Sequence, residues 1–267
     1  METLSTKLKL TVVKIGGNVI DDEQELDQFV SSFAALEGAK ILVHGGGKLA
    51  TQLAARLDIP QHMIEGRRVT DEATLRIVTM VYAGYINKQI TAKLQASGCN
   101  AMGLCGTDAN LIKAHKRQSE TMDYGFAGDV DVVNAALIQS LLKAGLSPVV
   151  APITHDGKGQ LLNTNADTIA REIAVSMSPV YEVRLVYCFE KEGVLRDVIN
   201  DVSVIPVITA GEVEQLKKDA VITGGMLPKI HNAIAALSGG VKEIIIGKSD
   251  RLPQLVQGLS GTKMIHE

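Results

Sequence analysis

Lys14 stands two residues ahead of the tandem glycines in "VKIGGN" (13–18), and the same layout, an apolar run ending in glycines, returns in "VHGGGK" (43–48). A third glycine turn, "TGGMLPKI" (223–230), opens a helical pattern and carries Lys229. Glycine costs backbone entropy and packs nothing. What it offers at a strand end is close approach: main-chain N–H groups converge on an oxyanion, and the following helix adds the positive end of its dipole. Tandem glycines also serve plain tight turns, but two such strand ends, one with Lys14 beside it, favour a phosphate or carboxylate site. Other polar groups fit the same chemistry. Arg68, in "EGRRVT" (65–70), can fork onto a carboxylate. Asn163 and Asp167, in "LLNTNADTIAREIA" (161–174), are spaced i, i+4 and share a face if a helix starts that early. Each has a plainer role when taken alone: a helix cap for Asn163 or Asp167, a solvated lysine for Lys229, a surface ion pair for Arg68.

These groups need elements to place them. Strand-like runs recur at "LTVVKI", "KILVHG", "SPVVAPI", "YEVRLVY" and "VKEIIIG", most of them alternating with helix-like segments. That pattern predicts an α/β fold with a mostly parallel sheet covered by helices on both faces. Ligands then sit outside the carboxyl ends of the strands, so the first two glycine turns face one crevice. A helix is expected near 22–36. A longer one is expected from Thr70 as cap, with Asp71 and Glu72 at its positive end and Gly98 just past its other end. That helix carries two apolar stripes, one of them Ile77, Met80, Val81 and Tyr85, which fits either a partner subunit or burial within the chain. The polar stretch 108–131 reads as short hairpins or a lid-like insertion, and a softer boundary falls near 178–179.

Composition narrows the function classes. With 267 residues, 46% of them hydrophobic, and a formal net charge of −3, the chain is an ordinary globular protein. It has no basic block, only 3% aromatics and no Trp, which argues against a nucleic acid partner. Cys99, Cys105 and Cys188 lack metal or disulfide spacing, so the expected compartment is the reducing cytoplasm, with no membrane span. A Walker A loop is absent, since Lys242 stands where its first glycine belongs. Gly45 to Ala50 satisfies G-x-G-x-x-[GA], with Glu65 near the place of a ribose-binding acid, so a dinucleotide-dependent oxidoreductase stays open at this point.

The ordered series "KIGGNVI", "VHGGG", "GRRVTD", "LNTNAD" and "ITGGMLPKI", spread over nearly the whole chain, resembles the amino acid kinase family. The resemblance implies a three-layer αβα sandwich with a mainly parallel central sheet and two lobes. Residues 1–178 would bind an acyl amino acid and dimerise, and residues 179–267 would bind ATP. The implied reaction is ATP-dependent phosphorylation of the γ-carboxylate of an N-acyl-L-glutamate, in arginine biosynthesis, with Mg²⁺ entering on ATP rather than in a protein cage. Such a carboxylate, with a pKa near 4.3, is already ionised and needs no general base; the obstacle is repulsion between anions. By resemblance, Lys14 and Lys229 stabilise the transferring phosphoryl group and Asp167 orients both. Gly45, Gly46 and, from the nucleotide side, Gly17 offer N–H groups, while Arg68 and Asn163 hold the substrate's α-carboxylate and acyl amide. Lys191, Gly193, Thr223 and Gly225 fall to the nucleotide. One stretch departs from the family: "VYCFEKEGVL" (186–195) keeps Gly193 and Val194 but replaces the acidic start of a nucleotide-contacting segment. Sibling kinases acting on N-succinylglutamate, an acylaminoadipate, aspartate, glutamate or a nucleoside monophosphate remain alternatives, as does a binding subunit without catalysis. A succinyl group would ask for an extra cation, for which Arg67 is the adjacent candidate. Arginine-inhibited hexamers of the family carry an extra N-terminal helix, and with only a few residues before the first strand the resemblance implies a homodimer insensitive to arginine.

Overall fold

The computed structural model describes residues 7–64, 67–197, 199–222 and 226–266. Eight strands form the main sheet: β1 (Leu8–Ile15), β2 (Ala39–His44), β5 (Ala101–Leu104), β8 (Ser147–Val150), β11 (Tyr181–Phe189), β12 (Val207–Thr209), β13 (Glu243–Lys248) and β14 (Thr262–Ile265). Their order is β12-β14-β13-β11-β1-β2-β8-β5, and only the β13–β14 pair is antiparallel. The five strand-like runs of the sequence are the contiguous centre of this sheet. They read clearly because both of their faces are buried, which selects near-continuous β-branched and aliphatic runs. Alternate residues enter different cores: Leu10, Val12, Ile41 and Val43 face one, Val13, Ile15 and Leu42 the other.

Helices cover both faces. On the first lie α6 (Ala135–Lys143), α7 (Ala166–Met177), α8 (Val213–Lys218) and α9 (Met226–Ser238). On the second lie α1 (Gly17–Asp21), α2 (Glu23–Ala34), α3 (Gly47–Arg56), α4 (Glu72–Val78), α5 (Asn87–Ala96) and α10 (Leu252–Gln257). This is the expected three-layer arrangement. The sheet runs through residue 178 without a break, since β11 pairs along its length with β1.

Two smaller units decorate the frame. β3 (His62–Ile64) and β4 (Arg67–Val69) make an antiparallel hairpin, and β6 (Ile112–Lys116), β7 (Ala127–Val133), β9 (Ile153–His155) and β10 (Leu161–Thr164) close a small barrel. The polar stretch 108–131 supplies the antiparallel β6–β7 pair of that barrel.

The long helix differs from expectation in two respects. Its cap is Asp71, whose carboxylate accepts from the Thr74 N–H at 2.7 Å, whereas Thr70 is buried and donates its hydroxyl to Arg68 O. Between α4 and α5 the chain takes a π-helical course over Thr79–Ile86. Ile77 and Val81 of the second stripe are buried in the chain, while Met80 and Tyr85 are 54% and 60% exposed. The helix stops where expected, with Gly98 at φ +76.

Candidate active site

The first two glycine turns are neighbours because β1 and β2 are. Ile15 is in register with His44, and the Gly45 N–H donates to Ile15 O at 3.1 Å, tying one turn to the other. Together they form one wall of a cavity of about 230 Å³, lined by Gly16, Gly17, Gly45, Gly46 and Gly47. The glycines have different reasons to be glycine. A Cβ on Gly46, at φ +141, would lie 2.2 Å from Ile86 Cδ1, so packing against the π-helical segment and the backbone conformation both disfavour a side chain there. Around Gly16, Gly17 and Gly45 the chain offers nothing nearer than 3.5 Å, and close approach of a ligand is what remains to explain them.

Opposite the turns lies the start of α7. Asn165 is its N-cap, accepting from the N–H groups of Asp167 and Thr168 at 2.8 and 3.2 Å. The expectation that Asn163 and Asp167 share a helix face is therefore corrected, because Asn163 lies on β10 before the cap. Both nonetheless line the cavity, Asn163 from the strand end and Asp167 from the first helical turn. The Asn163 amide donates to Thr70 Oγ1 at 3.0 Å.

Asp167 is the centre of the charge arrangement. Lys14 Nζ stands 2.6 Å from its Oδ1 and Lys229 Nζ, from the first turn of α9, 3.2 Å from its Oδ2. Burial would push this carboxyl up, but the two ammonium groups outweigh it and hold the pKa down to about 2. A carboxylate held this firmly is a counter-ion and makes a poor proton acceptor. Lys229 is lowered from its ordinary value, first by burial and then by Lys14, with Asp167 opposing.

The far wall is cationic. Arg68 is buried and fixed by donation to Gly47 O and Thr51 Oγ1, both at 2.9 Å, and to Gln61 Oε1. Among the described residues no carboxylate pairs with it. Arg67 and Arg117 line the same cavity, Arg117 paired with Asp129 and set 5.7 Å from the Tyr124 ring centre. Burial, and then Arg117, lower the pKa of Arg67. Lys14, Arg67, Arg68 and Arg117 thus face one lining carboxylate, that of Asp167. Such a pocket suits a ligand with more than one negative group.

The structure gathers Lys14, Gly17, Gly45, Gly46, Arg68, Asn163 and Asp167 around this cavity, with Lys229 against Asp167. Lys191 and Gly193 are not in its lining. Lys191 pairs with Asp201 at 3.3 Å, and a Cβ on Gly193 would meet Thr262 Oγ1 at 2.7 Å and Val204 at 2.8 Å, so packing explains that glycine. Thr223, Gly225 and Glu65 lie outside the described residues. Arg117, Tyr82 and Thr164 also line the cavity without having been singled out in sequence. Arg117 sits in a polar stretch with no motif around it, and only the folding of β6 against β7 brings it in.

The model of the amino acid kinase family matches residues 9–248. The chain belongs to that family. It is 52% identical over 90% of its length to an acetylglutamate kinase of Phocaeicola vulgatus, 93% of which is covered. To an acetylglutamate kinase of Cytophaga hutchinsonii it is 49% identical over 96% of its length, covering 98% of that protein. Among solved structures, the N-acetylglutamate synthase of Neisseria gonorrhoeae, complexed with coenzyme A and N-acetyl-glutamate, superposes with a TM-score of 0.82 at 25% identity. That match covers 98% of this chain and 60% of that one. In an amino acid kinase frame the Gly45–Ala50 run is the turn from β2 into the first turn of α3, with Gly46 set against Ile86 and Tyr82, and the dinucleotide reading loses its footing.

Proposed function

We propose that this chain transfers the γ-phosphoryl group of ATP to the γ-carboxylate of N-acetyl-L-glutamate. One observation carries the reading: Asp167 bridges Lys14 and Lys229 directly across from the free glycine turns. In the transfer, a carboxylate oxygen forms the new bond to phosphorus as the bond from phosphorus to the β,γ-bridging oxygen breaks, releasing ADP. The nucleophile arrives ionised, so no group has to take a proton. What the site must supply is neutralisation and alignment of two anions. Lys14 and Lys229 provide the positive charge, Asp167 keeps both ammonium groups in place, and the turn N–H groups receive the reacting oxygens. Arg68, pre-oriented by three acceptors and free of a described counter-ion, receives the α-carboxylate, with Asn163 beside the acyl amide. Acetylglutamate kinase is the name borne by the relatives at about half identity, and arginine biosynthesis is the corresponding role.

Mg²⁺ belongs to the triphosphate in this reading, entering the site with ATP. Residues 1–178 take the amino acid and 179–267 the nucleotide. Exposed Met80 and Tyr85 on the π-helical segment support a homodimer. The three cysteines are free and buried, in keeping with the cytoplasm.

Arg67 and Arg117 favour a second reading, in which the acyl group carries its own carboxylate, as in N-succinylglutamate. Neither cation is needed by an acetyl methyl, and the pKa of Arg67 is already lowered by burial and by its neighbour. The test is an ATP- and Mg²⁺-dependent acyl-phosphate assay with hydroxylamine trapping, run side by side on N-acetylglutamate, N-succinylglutamate, glutamate and aspartate. A hydroxamate from N-acetylglutamate supports the first reading, and a clear preference for the succinyl compound supports the second. No hydroxamate from any of the four, with ATP still bound, would overturn both.

A further inference from the structure

His44 is the last residue of β2 and has no exposed surface. Its Nδ1 lies 2.9 Å from the carbonyl oxygen of Gly45, and its Nε2 lies 3.1 Å from the amide nitrogen of Asn87, which is also fully buried. The orientation of the Asn87 amide is fixed by its other contacts. Its Oδ1 accepts from Lys88 Nζ at 3.1 Å, and its Nδ2 faces the carbonyl oxygens of Val149 at 2.9 Å and Leu104 at 3.4 Å. Carbonyls only accept, so the NH₂ group must be the one facing them; with two N–H groups for three acceptors, one serves Val149 O and the other lies between Leu104 O and the nearer Nε2, while an amide nitrogen cannot accept from Nε2. Nε2 therefore accepts, the ring proton sits on Nδ1, and Nδ1–H donates to Gly45 O.

That hydrogen bond has a consequence in the cavity. Across a trans peptide the C=O and N–H point to opposite sides, so holding Gly45 O toward His44 turns the Gly46 N–H the other way. Gly46 lines the cavity, and its N–H has no acceptor among the described residues. The surroundings preserve the arrangement. A Cβ on Gly103 would come within 2.3 Å of Asn87 Oδ1, so that glycine leaves room for the amide, and Ile86 and Tyr82 back Gly46 from behind.

We propose that His44, locked by Asn87 as the Nδ1–H tautomer, is a positioning residue that turns the Gly45–Gly46 peptide so that the Gly46 N–H points at the oxyanion of the transfer. What the N–H binds rests on the proposed phosphoryl transfer; the tautomer does not. Burial lowers the His44 pKa to about 4, against the pull of the Gly45 carbonyl and with Lys88 adding to it, so the ring remains neutral at physiological pH. Asn87→Asp is the telling variant. A carboxylate cannot donate to Nε2; it draws a proton there, so the ring either shifts to the Nε2–H tautomer, leaving a bare Nδ1 against Gly45 O, or takes up a second proton and keeps the Nδ1–H donor, and the ring ¹⁵N shifts distinguish the two.

The experiment pairs ¹⁵N NMR of the histidine rings with steady-state kinetics on the full chain. The wild-type ring should show a protonated Nδ1 and a bare Nε2 at neutral pH. His44→Leu should lose about 10²-fold in kcat, the scale of one misdirected oxyanion donor, with KM for ATP within about threefold, and Asn87→Asp should match it where its ring shows the Nε2–H tautomer and stay near wild type where Nδ1 keeps its proton. His44→Asn, whose amide nitrogen can take the place of Nδ1, should keep at least about a tenth of wild-type kcat. An Nε2–H tautomer in the wild-type protein, or folded His44→Leu with kcat within about threefold of wild type, would overturn the proposal. Absence of acyl-phosphate activity in the wild type would instead strike at the transfer reading, with the tautomer still read from the spectrum.

Discussion

Replacing Asp167 by Asn removes one charge and little volume, and the structure says what should follow. Lys229 Nζ is 3.2 Å from Asp167 Oδ2, and a charge pair at that distance is worth about 5 kcal/mol at an effective dielectric of ~20, all of it favouring the charged amine. Burial and Lys14 already pull Lys229 down, and Asp167 is the larger of the groups opposing them. Without that carboxylate, Lys229 should hold its proton less tightly still in the free enzyme, and an uncharged amine cannot stabilise the transferring phosphoryl group. The quantity to measure is kcat/KM for ATP across pH, since it reports groups in the free enzyme. For Asp167→Asn it should be about 10² to 10³-fold below wild type at neutral pH, the scale of losing one charge-stabilising group. It should rise as pH is lowered, as Lys229 regains its proton, and more steeply than in the native enzyme, where Asp167 holds that proton in place. A loss equal at every pH would refute the reasoning, because it would mean that Asp167 acts directly on the substrate or only holds the fold. Thermal unfolding of the variant separates the last of these.

Other outcomes follow from the same geometry. Gly46→Ala should destabilise by about 1 to 3 kcal/mol, from overpacking and left-handed strain together, since its Cβ would stand 2.2 Å from Ile86 Cδ1. Adding Ile86→Ala should relieve the clash but leave the backbone strain, which urea titration of the single and double variants will show. Arg68→Ala should raise KM for the acyl amino acid with kcat largely kept, whereas Lys229→Ala should lower kcat; initial-rate kinetics distinguish the two. The fold should weaken on mild acidification. His44 is held near 4 when folded but titrates near 6.5 when unfolded, so below about 6.5 the unfolded chain takes up a proton that the native ring refuses. By about pH 5 this costs about 2 kcal/mol, and thermal melts at pH 7 and 5 should show a smaller difference for His44→Asn. Asp167, folded pKa about 2, adds a further loss only below about pH 4.

The sequence disclosed what local chemistry dictates and hid what distance brings together. The central strands were legible because burial on both faces writes uninterrupted runs such as "VKEIIIG". The edge strands β5 and β12, and β14 beside β12, are only three or four residues long and leave no such run. The small barrel reads in sequence as a hairpin segment at most, since β10 is "LLNT" and reads as the approach to a helix. Capping misled twice. Thr70 and Asn163 each stand near a helix start, yet the shorter-range acceptors Asp71 and Asn165 won, each reaching N–H groups two or three residues ahead. Lys14, Asp167 and Lys229 could be matched to a family pattern, but their meeting depends on α7 and α9 packing side by side on one face of the sheet. No spacing in the chain encodes that.

The cavity's two sets of groups come from different parts of the fold. Lys14, the glycine turns, Asp167 and Lys229 come from carboxyl ends of central strands and first turns of helices, where the parallel sheet itself fixes position. Arg67 and Arg68 come from the β3–β4 hairpin, and Arg117, Ala127, Gly128 and Asn163 from the small barrel and its edges. Changes in hairpin or barrel can therefore alter the acceptor while the transfer apparatus stays intact, and short strands with mixed burial tolerate such changes better than the central sheet does. Arg67→Ala tests this division. It should shift the ratio of kcat/KM between succinylated and acetylated glutamate and leave KM for ATP unchanged. A matching loss toward ATP would show that the hairpin cations belong to the transfer apparatus after all.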